Sequence, residues 1–297
     1  MRSGGATTWT ILSVLQWAQH YLRTKGISEP RAGAEVLLAH CLKCSRLDLY
    51  LRHDQPLSDD ELSCYKKGLK RRLGHEPTQY VTGHQEFWSL DFLVSPAVLI
   101  PRPETELLVE AVLKHLSRSK PGGVTPQILD IGTGSGILAV TLAAELPQAL
   151  VVAVDQSWES LGLARENARR HKVEHQINWI LADLVSALAP RALFEAIVAN
   201  PPYVPTADWE QLPPEIKEYE PRLALDGGPD GLEVIRALVL AVQPLLQPDG
   251  LLALEVGQGQ AETVQQLLEQ AGAYTPSEIV LDYQRLGRVV LARRLDD

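Results

Sequence analysis

Two short stretches of this 297-residue chain combine residue types suited to chemistry: the loop Gly132-Thr133-Gly134-Ser135-Gly136 and the tetrapeptide Asn200-Pro201-Pro202-Tyr203. The loop follows the apolar run QILDI, and Asp130 stands two residues before its first glycine. Glycines let a backbone take positive φ and approach a ligand closely, and a helix starting just after them presents free N–H groups. A dinucleotide fingerprint needs a glycine where Ile137 stands, and a Walker loop needs a lysine that is absent here, so NAD and ATP both lose ground. In the tetrapeptide, two prolines fix the chain and donate no hydrogen bond, leaving one side-chain amide and bare carbonyls. Taken alone, it is equally a rigid turn.

An alternate-glycine loop with an acidic residue just before it resembles motif I of the class I methyltransferases, which bind S-adenosylmethionine. That cofactor carries a sulfonium cation and no phosphate, so a carboxylate such as Asp130 is tolerated beside it. Asp155 ends the run ALVVAVD, 19 residues after Gly136, where a carboxylate can accept both ribose hydroxyl protons. Asp183 ends INWILAD, the place of adenine-edge recognition in this family, and Leu184 follows it where the family often has an aromatic residue. The bland alternative for both aspartates is capping of the next helix. The expected cofactor-binding residues are thus Asp130, Gly132, Thr133, Gly134, Ser135, Gly136, Asp155, Asp183, Leu184 and Asn200.

Beside such a cofactor the tetrapeptide gains a specific role. The lone pair of an amide or aromatic amino nitrogen is delocalised, and deprotonating it first would need a very strong base. If Asn200 Oδ1 and the Pro201 carbonyl each accept one N–H of a substrate NH2 group, they orient it and favour a tetrahedral nitrogen aimed at the methyl carbon. Tyr203 offers a flat face for a planar group. Asn200, Pro201, Pro202 and Tyr203 are the expected catalytic residues.

From about Gln79 onward the chain resembles the protein-(glutamine-N5) methyltransferases, and within them the release factor glutamine methyltransferases (PrmC/HemK). The matching segments are QYVTGHQEFW, VLIPRPETE, LDIGTGSG, NPPYV, EPRLALDGGPDGL and LEVGQGQ. The resemblance implies S-adenosylmethionine as methyl donor and, as substrate, the glutamine of the Gly-Gly-Gln loop in class I release factors, a modification that modulates translation termination. It also implies no direct nucleic-acid substrate and no membrane partner. The competing reading is an adenine N6-methyltransferase, because NPPY chemistry serves that amine too; a non-catalytic cofactor-binding module is a third.

These residues need a scaffold, and the patterning supplies one. Residues 1–80 show helical periodicity, including the capping-box pair Ser58 and Glu61, and no strand signal before about residue 85. EFWSLDFLVS suggests a hairpin, and IPRPETELLVEAVLKHL a turn entering a helix at Pro103. After a break at Lys120–Gly123, short apolar runs alternate with helices, the signature of a parallel sheet covered on both faces. The last two strands, around Glu278–Leu281 and Arg288–Ala292, are close enough to pair antiparallel. The expectation is an α/β class I methyltransferase with a Rossmann-like, mostly parallel sheet, an antiparallel C-terminal strand and a small all-helical N-terminal domain. Its parts are a helical substrate-docking domain (1–78), a linker with a β-hairpin (79–102) and a methyltransferase domain (103–297).

Charge follows the same division: residues 1–80 sum to +4 and residues 81–297 to −13, within a net charge of −9. An acidic catalytic half opposes a phosphate backbone. Cys41, Cys44 and Cys64 are too few for a disulfide framework, and CLKC is expected to pack rather than to bind metal. Lys66, Lys67, Lys70, Arg71 and Arg72 form either a solvated helix face or a docking patch, and Glu104 and Glu106 are either helix N-terminal charges or part of the site wall. With no signal-peptide pattern and no long apolar run, a cytoplasmic location is expected.

Overall fold

A computed structural model describes residues 9–117 and 125–296; the break expected at Lys120–Gly123 lies outside them. Contacts divide the described residues into two compact units, one drawn from Met1–Gly83 with Pro213–Tyr219, the other from His84–Leu212 and Glu220–Asp297.

The first unit is helical: α1 (Ile11–Thr24), α2 (Pro30–Leu42), α3 (Arg46–Leu51), α4 (Asp59–Leu73) and α5 (Thr78–Thr82). Side-chain caps on Thr10, Ser45 and Ser58 start α1, α3 and α4, each as a reciprocal capping box. Apolar residues at helical spacing, among them Leu15, Ala18, Leu22, Leu37, Leu38 and Leu69, form its core. Two of the three cysteines do more than the packing expected of CLKC. Cys41 on α2 is bonded to Cys64 on α4 with Cα atoms 5.9 Å apart, and Cys44 is free. The partners are 23 residues apart, so only the packing of α2 on α4 reveals the pair.

The basic run on α4 is split by packing. Arg72 is buried and donates to Ser28 Oγ at 2.8 Å, with Glu215 at 3.7 Å, while Arg71 pairs with Glu76 at 2.5 Å. Lys66, Lys67 and Lys70 remain exposed. Glu215 and Tyr219, whose hydroxyl donates to the Gly74 carbonyl at 2.6 Å, attach Pro213–Tyr219 to this unit.

One buried acid makes the helical unit acid-sensitive. Burial opposes ionisation of Glu35, but donors from Tyr50, Arg46 and Arg31 outweigh it and pull its carboxyl down to about 2. A depressed carboxylate stabilises the fold above its unfolded value, and that contribution is lost as pH falls through the folded one. Stability of this unit is expected to drop by on the order of 2–3 kcal/mol as pH falls from about 4.5 toward 2. Glu35→Gln should remove that part of the pH dependence in denaturant titrations.

The second unit opens with the hairpin β1 (His84–Phe87) and β2 (Leu90–Leu93). Its tip residues Trp88 and Ser89 have φ 52° and 59°, the twist that suits a two-residue hairpin though neither is glycine or asparagine. Glu106 accepts the Trp88 N–H at 2.8 Å, which assigns that glutamate to holding the hairpin. After a turn at Pro103–Thr105 come α6 (Glu106–Leu116), β3 (Gln127–Ile131), α7 (Ile137–Glu145), β4 (Leu150–Asp155), α8 (Trp158–Arg170), β5 (Ile177–Leu181) and β6 (Phe194–Ala199). Beyond the short α9 (Pro214–Lys217) of the helical unit lie α10 (Glu233–Ala241), β7 (Leu246–Glu255), α11 (Ala261–Ala271), β8 (Glu278–Leu281) and β9 (Gly287–Arg293).

The seven-stranded sheet runs β5-β4-β3-β6-β7-β9-β8; β3 to β7 pair parallel, and β9 is antiparallel to both neighbours. Alternation sends Ile128, Ala196 and Val198 into one core with α6, α7 and α8, and Leu129, Ile197 and Ala199 into the other with α10 and α11. Strand order reverses between β3 and β6, where an open α/β sheet forms its crevice. Among the described residues, no helix is long and apolar enough to cross a membrane.

Candidate active site

A cavity of about 540 Å³ opens at the carboxyl ends of β3, β4, β5 and β6. Its walls include Gly132, Thr133, Gly134 and Ser135 from the first loop, Asp155 after β4, Asp183 and Leu184 after β5, and Asn200, Pro201 and Pro202 after β6. Segments far apart in sequence meet because each follows a parallel strand. Three expected residues lie outside the lining: Asp130, Gly136 and Tyr203.

The loop geometry discriminates among ligands. Gly132 and Gly134 take φ 73° and 56°, and a Cβ on Gly132 would meet no atom within 4 Å, so glycine is required there for backbone conformation. Gly136 is glycine for two reasons, φ 83° and a Cβ position 3.0 Å from that of Ala164, which brings α7 against α8. Four of the five loop amides already have partners. Gly132 and Thr133 donate to the Val154 carbonyl at 2.8 and 3.0 Å, Gly134 to Asp155 Oδ2 at 2.8 Å, and Gly136 to the Thr133 carbonyl at 2.8 Å. A phosphate would find few free donors and two aspartates on the walls, so the cavity is unsuited to a nucleotide polyphosphate.

A cationic, phosphate-free ligand meets the opposite situation. Asp130 is fully buried beneath the loop, accepting from Thr133 Oγ1 at 2.6 Å and the Ala139 N–H at 3.1 Å, while its Oδ1 has no partner among the described residues. Burial pushes its carboxyl up to about 7, and the charge of Asp155 adds to the rise. Burial also raises Asp155, against the opposing bonds from Ser157 and Gly134. Both carboxylates gain from a nearby positive charge. Orphaned oxygen, self-satisfied loop and acidic walls together fit S-adenosylmethionine.

After β6, Asn200 Nδ2 donates to Thr105 Oγ1 at 3.2 Å, and Thr105 Oγ1 donates to Glu255 Oε2 at 2.7 Å. Tyr203 turns its hydroxyl toward Glu255 Oε1 at 3.4 Å, and its carbonyl accepts from Gln260 at 3.0 Å. Glu255 is buried, which pushes its carboxyl up to about 7 against the bond from Thr105, with Glu104 and Arg288 also acting on it. Arg102, on the cavity wall, pairs with buried Glu220 at 2.5 Å, and Glu220 also accepts the Ile100 N–H at 3.2 Å. No local sequence pattern marks a role for Thr105, Glu255, Arg102 or Glu220. The available signal was a glutamate closing the apolar run LLALE, a costly place for an acid without a partner.

Residues 13–83 match the model of the PrmC N-terminal domain, and residues 103–212 that of the methyltransferase small domain. A release factor glutamine methyltransferase of Geobacter sulfurreducens is 45% identical over 264 residues, covering 89% of this chain and 90% of the relative. Relatives of the same name from Moorella thermoacetica and Chlorobaculum tepidum are 42% and 40% identical, covering 97% and 94% of this chain and 100% and 96% of their own. The chain belongs to the release factor glutamine methyltransferase family. It is an enzyme of S-adenosylmethionine-dependent methyl transfer, with the class I fold expected from its loop and strands. A solved hMettl16 catalytic domain in complex with a MAT2A 3′UTR hairpin shares this fold, with a TM-score of 0.56 and 16% identity over 77% of this chain and 82% of its own. A methyltransferase from Pyrococcus furiosus does so at 0.50 and 18%, over 71% and 91%.

Proposed function

We propose that this chain methylates the side-chain N5 of the glutamine in the Gly-Gly-Gln loop of class I peptide chain release factors. The observation that carries the chemistry is Asn200, Pro201 and Pro202 on the wall of the same cavity as the glycine loop. S-adenosylmethionine, when bound, supplies an electrophilic methyl group. Gly132 to Ser135, Asp155, Asp183 and Leu184 hold it, with Asp130 and Gly136 shaping the loop from behind. Asn200 Oδ1 and the Pro201 carbonyl accept the two N–H bonds of the glutamine amide and fix its nitrogen for attack. Deprotonation beforehand is unnecessary, because the proton becomes acidic only once the new bond has formed. Tyr203, with its hydroxyl on Glu255, supports the loop and gives it a flat edge.

The stretch from residue 81 onward carries −13, which raises the cost of bringing in a phosphate backbone; a glycine-rich protein loop enters without that repulsion. The substrate is therefore a protein and not a nucleic acid, and the enzyme acts in the cytoplasm, where release factors meet ribosomes. The helical unit, which runs through α5, serves docking, with Lys66, Lys67 and Lys70 exposed on α4. Mass spectrometry after incubation with donor and folded release factor should show one added methyl group on the Gly-Gly-Gln peptide. A short free peptide should be a much poorer substrate, since remote contacts help orient the glutamine. Methyl transfer to duplex DNA at a comparable rate would overturn this reading in favour of an adenine enzyme.

Asp155 gives a separate check on the cofactor side. Asp155→Ala is expected to weaken S-adenosylmethionine binding by roughly 1.5–3 kcal/mol, through loss of charge-assisted bonds to the ribose and of the Gly134 tie. Unchanged affinity by calorimetry would remove Asp155 from the cofactor site.

A further inference from the structure

Asn200 has a symmetric-looking amide, yet only one of its two orientations serves the role given to it above. With Oδ1 toward the acceptor, it receives an N–H; flipped, its own NH2 would face the acceptor's NH2, donor against donor. Something must choose between these orientations before substrate arrives.

The structure holds a chain of groups able to make that choice. Thr105, from the turn before α6, is fully buried, and Glu255, at the end of β7, is nearly so. Above its raised value of about 7 the Glu255 carboxyl is ionised and only accepts, and a threonine hydroxyl has a single proton. Thr105 Oγ1 commits that proton to Glu255 Oε2 at 2.7 Å, so toward Asn200 it can only accept. The group it accepts from at 3.2 Å must be Nδ2, which leaves Oδ1 for the acceptor. Tyr203 donates to the other carboxylate oxygen and holds Glu255 as the acceptor end of the chain.

We propose that Thr105 and Glu255 are positioning residues that fix the orientation of the Asn200 amide by imposing one direction on this hydrogen-bond chain. The inference rests on the reading of Asn200 as the acceptor-binding residue. It assigns to Thr105 a hydroxyl function distinct from filling space and to Glu255 a function two hydrogen bonds removed from Asn200.

The test uses the full-length enzyme with folded release factor at about pH 8.5, where Glu255 is ionised. Thr105→Val keeps the shape and removes the hydroxyl; kcat should fall about 10²-fold, the loss expected for a misplaced reacting group, with KM for the release factor and Kd for S-adenosylmethionine changed by less than about threefold. Thr105→Ser, which keeps the hydroxyl, should restore kcat to within about threefold of wild type. Glu255→Gln can run the chain in either direction and should lower kcat by about tenfold with KM unchanged, which keeps the test usable should Thr105→Val fail to fold. Wild-type kcat in Thr105→Val or in Glu255→Gln, or equal losses in Thr105→Val and Thr105→Ser, would overturn the proposal. Wild-type turnover in Asn200→Ala would instead overturn the reading beneath it, so the two failures are separable.

Discussion

Asn200→Ala is expected to lose methyl transfer by about a thousandfold while binding S-adenosylmethionine within about twofold of wild type. The size follows from what the amide does. It contributes no covalent chemistry and carries no charge, so its whole effect is to hold a weak nucleophile in one orientation, and misorientation alone costs on the order of 10²-fold or more. Loss of Oδ1 also leaves one N–H of the acceptor amide without its partner, which adds to the barrier. Cofactor affinity should survive because the loop and Asp155 are held independently of Asn200: Gly132 and Thr133 hang from Val154, and Asp155 is anchored by Gly134 and Ser157. Single-turnover rates and calorimetry on the same variant check both halves. Equal turnover would reject the role of Asn200, and a parallel loss of cofactor binding would make it a cofactor residue only.

What the sequence disclosed and what it hid divide along a physical line. The glycine loop, the alternating strands and helices and the antiparallel end strands were legible because each is set by local periodicity or by backbone freedom. The ends of INWIL and FEAIVA were enough to place Asp183 and Asn200 on one cavity, because parallel strands deliver their carboxyl ends to one edge. Partners joined across long stretches of chain were not legible. Thr105 meets Asn200 from 95 positions away, and Glu220 meets Arg102 from 118. Asn167, mid-helix and fully buried, bonds Leu93 on β2 and the Ser135 carbonyl of the glycine loop, a role no local pattern marks. The same holds for Cys41 and Cys64, and for Arg72, whose place in a basic run suggested solvent while the fold buries it. Tyr203 shows the intermediate case: the motif located it, but only the packing turned its hydroxyl away to Glu255.

Gly227 tests how the geometry around Asn200 is held, and Gly227→Ala is expected to lower turnover by about 10²-fold without removing cofactor binding. The segment EPRLALDGGPDGL folds back beside the tetrapeptide: Val204 donates to the Leu225 carbonyl at 2.8 Å, and Gly227 donates to the Val204 carbonyl at 2.9 Å. A Cβ on Gly227 would stand 2.7 Å from both the Pro202 and the Gly231 carbonyl oxygens. Both are backbone atoms, so no side chain can swing aside. Gly227 is not among the glycines with positive φ, so alanine is acceptable to the backbone and the conflict is purely steric. Pro201 and Pro202 cannot absorb the displacement by rotating φ, which passes it to Asn200. Overpacking of this kind costs about 1–3 kcal/mol of stability, so a drop in melting temperature of several degrees should accompany the rate loss. Gly162→Ala, on α8 with no atom within 4 Å of the added carbon, is the control and should be neutral or slightly stabilising. Wild-type kcat in Gly227→Ala would show that the strap yields to the methyl group and that the tetrapeptide holds its shape by its prolines alone.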